Sequence, residues 1–250
     1  MATLHHPAMA TPLSGKSTVG EIRDRFDHDV ERFSQLETGQ QATIDAPLVL
    51  DLIGAVAKSH LRSGDRVLDL GCGAGNLTLK LIQEVGSLHC DLADLSLPML
   101  ERARERVAVT GCVSVEIHHC DLRVLDFPEG SFDCITAAAV LHHLREDADW
   151  EAVFRAIHRW LKPGGRLYVS DLVTFDEPAV QEVMWRRYGE YLESLGGADY
   201  RDKVFGYIDK EDSPRSLPYQ ISLLERCGFQ SWDILHRNSV FACYRAVKAE

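Results

Sequence analysis

One segment, Val67-Leu68-Asp69-Leu70-Gly71-Cys72-Gly73-Ala74-Gly75-Asn76, constrains the fold of this chain more than any other. A short apolar run holding one acid is followed by three alternating glycines and then by helical periodicity, so the chain leaves a strand, turns tightly and enters a helix. Glycine lets such a turn form and lets the backbone approach a ligand with no Cβ in the way. An acid inside an apolar strand is costly unless it meets a partner. Asp69 is therefore expected to serve a site rather than a surface.

The same rhythm repeats between Arg66 and Tyr168, where short apolar runs alternate with helical patterns, the signature of βαβ units and an α/β fold on a parallel sheet. Strands are expected at Val67–Leu70, Leu88–Ala93, Val113–His118, Phe132–Val140 and Arg166–Leu172. Ser96 is placed to cap a helix that tolerates Pro98 in its first turn. A later helix sets Trp150, Val153, Phe154, Ile157 and Leu161 on one face and stops at Lys162-Pro163-Gly164-Gly165. Upstream, Ile22, Phe26, Val30 and Phe33 predict one amphipathic helix over Val19–Phe33, and Pro47–His60 a second helix. Residues 174–215 break the rhythm with a long aromatic helix and a charged stretch, an insertion of the kind that covers a ligand. The regular pattern returns with a helix from Ser216 to Cys227, closed by Gly228. Two runs, Trp232–Leu235 and Val240–Tyr244, are set to pair as an antiparallel hairpin at the sheet edge.

The glycine spacing is GxGxG rather than the GxGxxG of dinucleotide sites. A pyrophosphate needs the helix N-terminus, whereas a cofactor with a charged amino-acid end and no phosphate can use an acid and backbone carbonyls. Asp94, where the second strand ends, can accept both hydroxyl hydrogens of a ribose. Asp91 competes for that role, and period-two geometry favours Asp94. After the third strand, the carboxylate of Asp121 and a backbone N–H can read an adenine amino edge.

Together with Phe127-Pro128-Glu129-Gly130-Ser131-Phe132-Asp133, Val140-Leu141-His142-His143 and Leu161-Lys162-Pro163-Gly164-Gly165, these residues resemble the class I S-adenosylmethionine-dependent methyltransferases over roughly residues 60 to 175. The resemblance implies a Rossmann-like fold: a mostly parallel seven-stranded sheet, helices on both faces and an antiparallel edge strand. It implies S-adenosyl-L-methionine as cofactor, with Asp69, Gly71, Cys72, Gly73 and Gly75 at the methionine part, Asp94 and Leu95 at the ribose, and Asp121 and Leu122 at the adenine. Ala137, late in the fourth strand, joins that set. His142 would border the sulfonium. In layout the whole chain is similar to relatives of the carboxy-S-adenosylmethionine-dependent tRNA uridine methyltransferases, through Phe26-Asp27-His28-Asp29-Val30, Ser170-Asp171-Leu172-Val173-Thr174-Phe175, the Tyr188-to-Gly196 helix end and Cys227-Gly228-Phe229. Arg201 and Lys203 are offset from the cation those enzymes use for the extra carboxylate. Plain S-adenosylmethionine and an acceptor other than tRNA are expected.

The chain then divides into a mobile tail (1–18), N-terminal capping helices (19–60), a cofactor-binding core (61–173), a helical insert or lid (174–215) and a C-terminal helix with edge strands (216–250) that complete one domain. A formal net charge of -11 repels phosphate backbones. No apolar run approaches the roughly 18 to 20 residues that span a bilayer, and no signal-peptide layout opens the chain, so a cytoplasmic location is expected. The seven cysteines form no CxxC pair and read as reduced core residues. His5 and His6 lack a third ligand, and no metal is expected.

Methyl transfer from a sulfonium needs alignment and desolvation above all. A general base is required only for a hydroxyl or amine acceptor, and His142, His143 and Tyr188 are the candidates. At least one of the histidines reads equally as a packed, hydrogen-bonded residue. Phe26, Trp185, Tyr188, Tyr200 and Arg215 are candidate contacts for a small-molecule acceptor, against the plainer reading of aromatic core and solvated charge. A homodimer stays open. An NAD-dependent oxidoreductase, a regulator that keeps the pocket without turnover, and another reaction in the same cleft are the rival readings.

Overall fold

The computed structural model of the chain describes residues 11–35 and 40–250. His5, His6 and most of the expected tail lie outside them. The helices are α1 (Val19–Asp27), α2 (Val30–Ser34), α3 (Ala46–Ala57), α4 (Asn76–Val85), α5 (Leu97–Ala108), α6 (Asp147–Trp160), α7 (Pro178–Glu211) and α8 (Leu217–Cys227). The strands are β1 (Arg66–Leu70), β2 (His89–Asp94), β3 (Ser114–His119), β4 (Phe132–Ala138), β5 (Leu161–Leu172), β6 (Phe229–Asn238) and β7 (Phe241–Lys248). They form a seven-stranded sheet in the order β3-β2-β1-β4-β5-β7-β6.

Strand side chains alternate between two cores, as a period of two requires. Val67, Cys90, Cys134, Tyr168 and Cys243 face α3, α4 and α5, whereas Leu68, Ile135, Val169 and Tyr244 face α6 and α8. Burial on both faces is what allows near-continuous apolar strands. Five of the cysteines are buried and none is in a disulfide. The sheet is parallel from β3 through β5, and β7 runs antiparallel to both its neighbours. The antiparallel strand is thus one in from the edge, and β6 takes the edge itself. Adjacent β1 and β4 mark where the winding reverses, and ligands in open α/β sheets bind at that crevice.

Several expected boundaries move, each for a local reason. The amphipathic run 19–33 is two helices, broken at His28 and Asp29. Thr18 caps the first through a reciprocal capping box with Glu21. Leu161 opens β5 instead of closing α6. Strand β4 stops at Ala138 because Ala139 adopts a positive φ of 53°, which turns Val140 across the glycine loop. Residues 11–18 are docked rather than mobile: Thr11 N–H and Oγ1 donate to Asp209, Ser17 N–H to Lys210 O, and Lys16 Nζ to Asp209 O and Asp212 O. The charged stretch after Tyr200 is helical, part of the 34-residue α7, which breaks at Gly196 and Gly197. Gly197, at φ 77° and ψ -178°, occupies a region open almost only to glycine.

Candidate active site

The C-terminal ends of β1, β2 and β4 floor a cavity of about 590 Å³, within the range of about 300–1,000 Å³ usual for small-molecule sites. Helices α1 and α2, residues 40–43 and both arms of α7 enclose the other side. Tyr188 and Tyr191 hydroxyls donate to Ala42 O and Gln41 O, at 2.9 and 2.8 Å, and so tie α7 to that segment.

The glycine loop shapes one end. At Gly71, with φ 64°, an added Cβ would stand 2.5 Å from Val140 Cβ, so only glycine admits this approach. At Gly73, with φ 50°, a Cβ would meet no atom within 4 Å. Gly73 lines the cavity, and a side chain there would take space from a bound molecule. Asp94 Oδ2 accepts from Gly73 N–H at 2.8 Å, and Oδ1 accepts from Ser96 N–H at 2.9 Å. Burial raises this carboxyl above its usual range, against the pull of those backbone donors. Asp69 is 2% exposed and accepts from the hydroxyls of Thr78 and Thr136 at 2.6 and 2.8 Å. Burial lifts it to about 6, with nearby Asp94 adding to the rise and the hydroxyls opposing it. Asp121 accepts from the backbone and guanidinium of Arg123, and this partner outweighs burial to hold the acid low.

At the other end four groups meet. His142 Nδ1 is bonded to Asp171, whose carboxylate also accepts from the N–H groups of Leu141, His142 and Leu172. His142 Nε2 lies 3.7 Å and His143 Nδ1 3.2 Å from Asp212 Oδ1. Burial disfavours charge on His142, yet Asp171 and Asp212 together overcome it and lift the imidazole to about 9. Both ring nitrogens of His143 are buried without a hydrogen bond; the 3.2 Å approach of Nδ1 to Asp212 is out of line for one.

Most of the expected site residues converge on this cavity. Asp69, Gly71, Cys72, Gly73, Asp94 and Leu95 line it, as do Asp121, Leu122, His142, His143, Phe26, Tyr188 and Tyr200. Four others stand elsewhere. Gly75 faces α5, where a Cβ would press on Ala103 at 3.2 Å. Ala137 points into the core beneath α6, because alternation along β4 brings Ala138, not Ala137, to the cavity. Trp185 packs edge-on against Tyr188 and Phe205. Arg215 is spent on Asp147 and the carbonyls of Ser213 and Arg145. Asp91 lies outside the lining, bonded to Arg66 and His118. Asp171 and Asp212 were not anticipated as site residues. Asp171 carries the same signal as Asp69, an acid in an apolar strand, whereas Asp212 sits in a charged run that gives no hint of burial.

Residues 67–165 match the methyltransferase domain family. Over 200 residues the chain is 34% identical to the ubiquinone/menaquinone biosynthesis C-methyltransferase UbiE of Escherichia fergusonii, with 76% of this chain and 76% of that enzyme covered. The chain belongs to the class I S-adenosylmethionine-dependent methyltransferases. The enzyme of the same name from Francisella tularensis subsp. novicida is 38% identical over 138 residues, 54% of this chain and 52% of that one, so the chain spans about half the length of that curated relative. Among solved structures, phosphoethanolamine N-methyltransferase 2 of Haemonchus contortus, in complex with S-adenosyl-L-methionine, superposes with a TM-score of 0.65 at 17% identity, covering 94% of this chain and 61% of that one. That likeness concerns the fold, and places this family member among class I architectures over nearly its whole length.

Proposed function

We propose that this chain transfers the methyl group of S-adenosyl-L-methionine to a small-molecule acceptor held between the strand ends and α7. The observation that carries the reading is the joint placement of Gly73, bare toward the cavity, and Asp94, fixed by two backbone N–H groups at the end of β2. Such a carboxylate is oriented before any ligand arrives and keeps lone pairs for a ribose diol. The cofactor supplies an electrophilic methyl group when bound. The chain's own residues then have to align the acceptor and exclude water.

Phe26, Leu195, Tyr200 and Tyr207 give the acceptor half an apolar and aromatic wall. The UbiE enzymes, which by name methylate carbon in quinone biosynthesis, support an apolar small molecule as acceptor. A carbon acceptor that is already nucleophilic needs no base. For a hydroxyl or amine, His143, whose Nε2 makes no hydrogen bond, is the candidate base at the cavity. Tyr188 is unsuited: its hydroxyl is committed to Ala42 O, and burial pushes the phenol above its usual range. We take plain S-adenosylmethionine as donor, since Arg201 is held by Glu193 and Asp202. The net charge of -11 disfavours tRNA. No helix among the described residues is long and apolar enough to cross a membrane, and we propose a cytoplasmic protein, with a homodimer to be checked by sedimentation.

Incubating the protein with isotopically labelled S-adenosylmethionine and a metabolite extract tests the reading. Label should move to a small molecule with stoichiometric release of S-adenosylhomocysteine. Cofactor binding with no release in any extract would mark a regulator instead.

A further inference from the structure

Two histidines and an aspartate converge at the end of the cavity away from the glycine loop. His142, His143 and Asp212 each direct one donor atom inward, and all three atoms lie within 4.8 Å of one another. Ligand atoms bound at about 2.0–2.1 Å in a tetrahedral zinc site stand roughly 3.3–3.4 Å apart. The two separations here, 3.2 Å for His143 Nδ1 and 3.7 Å for His142 Nε2 from Asp212 Oδ1, straddle that spacing.

The surroundings repeat the pattern of a metal ligand's support. Imidazoles that bind metals commonly donate their other N–H to a carboxylate, which sets tautomer and orientation. Asp171 does this for His142 Nδ1, and is itself held by three backbone N–H groups. The remaining nitrogen, Nε2, is thereby turned toward Asp212. An imidazolium caught between Asp171 and Asp212 would account for His142 alone. It leaves His143 Nδ1 buried 3.2 Å from Asp212 with no hydrogen bond, an arrangement that calls for a reason. The cations around Asp212 are engaged elsewhere: Arg25 by Glu211, Lys16 by the carbonyls of Asp209 and Asp212, and Arg145 by Ser213 Oγ and Ser17 O, so none is bonded to its carboxylate.

We propose that His142 Nε2, His143 Nδ1 and the Asp212 carboxylate bind one first-row divalent cation of the zinc or ferrous class. Two imidazoles and one carboxylate suit such ions. Binding displaces any proton from His142 Nε2 to solvent, and the two carboxylates, Asp171 and Asp212, balance the ion's charge. Three protein ligands leave at least one position open toward the cavity, where an oxygen of the acceptor, hydroxyl or carbonyl, would coordinate. His142 and His143 come from the turn after β4 and Asp212 from the end of α7, so the ion would also clamp the insert to the sheet.

Chelator-stripped full-length protein carrying His5→Ala and His6→Ala, which removes the adjacent N-terminal histidines, is titrated with Zn²⁺ by calorimetry and with Co²⁺ by visible absorption. One ion per chain should bind. His143→Ala and Asp212→Asn should each weaken binding at least tenfold, and Asp171→Asn, acting through His142, about tenfold. S-adenosylhomocysteine affinity, measured on the same samples, reports the cofactor half separately and should stay within about twofold in Asp212→Asn. Absence of stoichiometric binding would overturn the proposal. So would unchanged affinity in Asp212→Asn, a near-isosteric change that decides the matter if His143→Ala folds poorly.

Discussion

Two acids near the end of β2 divide labour by which way the strand turns them. Asp94 reaches the cavity, while Asp91 is 1% exposed and bonded to Arg66 and His118 beside it. Asp94→Asn should weaken S-adenosylhomocysteine binding about tenfold or more, because hydrogen bonds to a charged acceptor are worth about 1.5–3 kcal/mol. Asp91→Asn should leave that affinity alone and lower stability by a similar amount; the reverse pattern in calorimetry and melting would mean the ribose site is misplaced. Asp69 gives a pH signature. Its carboxyl is lifted to about 6 by burial, so between about pH 4 and 6 the unfolded chain has released a proton that the folded chain still holds. Stability therefore falls as pH rises through that window, by on the order of 3 kcal/mol once both states are ionised. Asp69→Asn cannot ionise, and its melting temperature relative to the parent should rise from pH 4 to pH 8 while cofactor affinity drops. An advantage that does not grow with pH would show that Asp69 is comfortably charged in the fold.

Helix α7 is the element whose shape the cavity depends on. Its first arm is anchored by a cluster of Trp185, Tyr188, Leu192 and Ile208, and truncating a buried aromatic there would cost about 3–5 kcal/mol. Tyr188→Ala is therefore a stability variant more than a test of acceptor contact. Tyr200, at the break between the arms, lines the cavity and is half-buried. Tyr200→Ala should reduce methyl transfer at least tenfold and change S-adenosylhomocysteine affinity by less than twofold. Equal loss in both would mean the insert serves the cofactor. Gly197→Ala should cost about 1–3 kcal/mol, read as a lower melting temperature, because its backbone lies where a Cβ is strained. At this scale the sequence was legible wherever a periodic run ended in its own stop signal. Ser96 caps α5 through Met99 N–H, and Gly228 closes α8 in the left-handed conformation. It was less so where tertiary contacts set the boundary: the charged half of α7 has no amphipathic pattern, and residues 11–18 are held by Asp209, Lys210, Asp212 and Arg145.

For the whole molecule, a cofactor that binds only the folded state must stabilise it. At a hundredfold excess over Kd the gain is about 2.7 kcal/mol, which for a chain of this size should raise the melting temperature by about 5–10 °C. S-adenosylhomocysteine should produce that shift and NAD none. What the sequence determined by itself was everything encoded by local pattern: the βαβ order, the glycine turn after β1, the acids at the strand ends and the hairpin that finishes the sheet. These follow from the two periods of helix and strand and from the steric freedom of glycine, which act over a few residues. Long-range packing alone settled which of those residues share a space. Alternation along β4 sends Ala137 to the core and Ala138 to the cavity, and Arg215 spends its charge on Asp147 and two carbonyls. The meeting of Asp171, His142, His143 and Asp212 joins positions up to 70 residues apart, from His142 to Asp212. No local pattern records such a meeting, because it is set by the packing of α7 against the sheet.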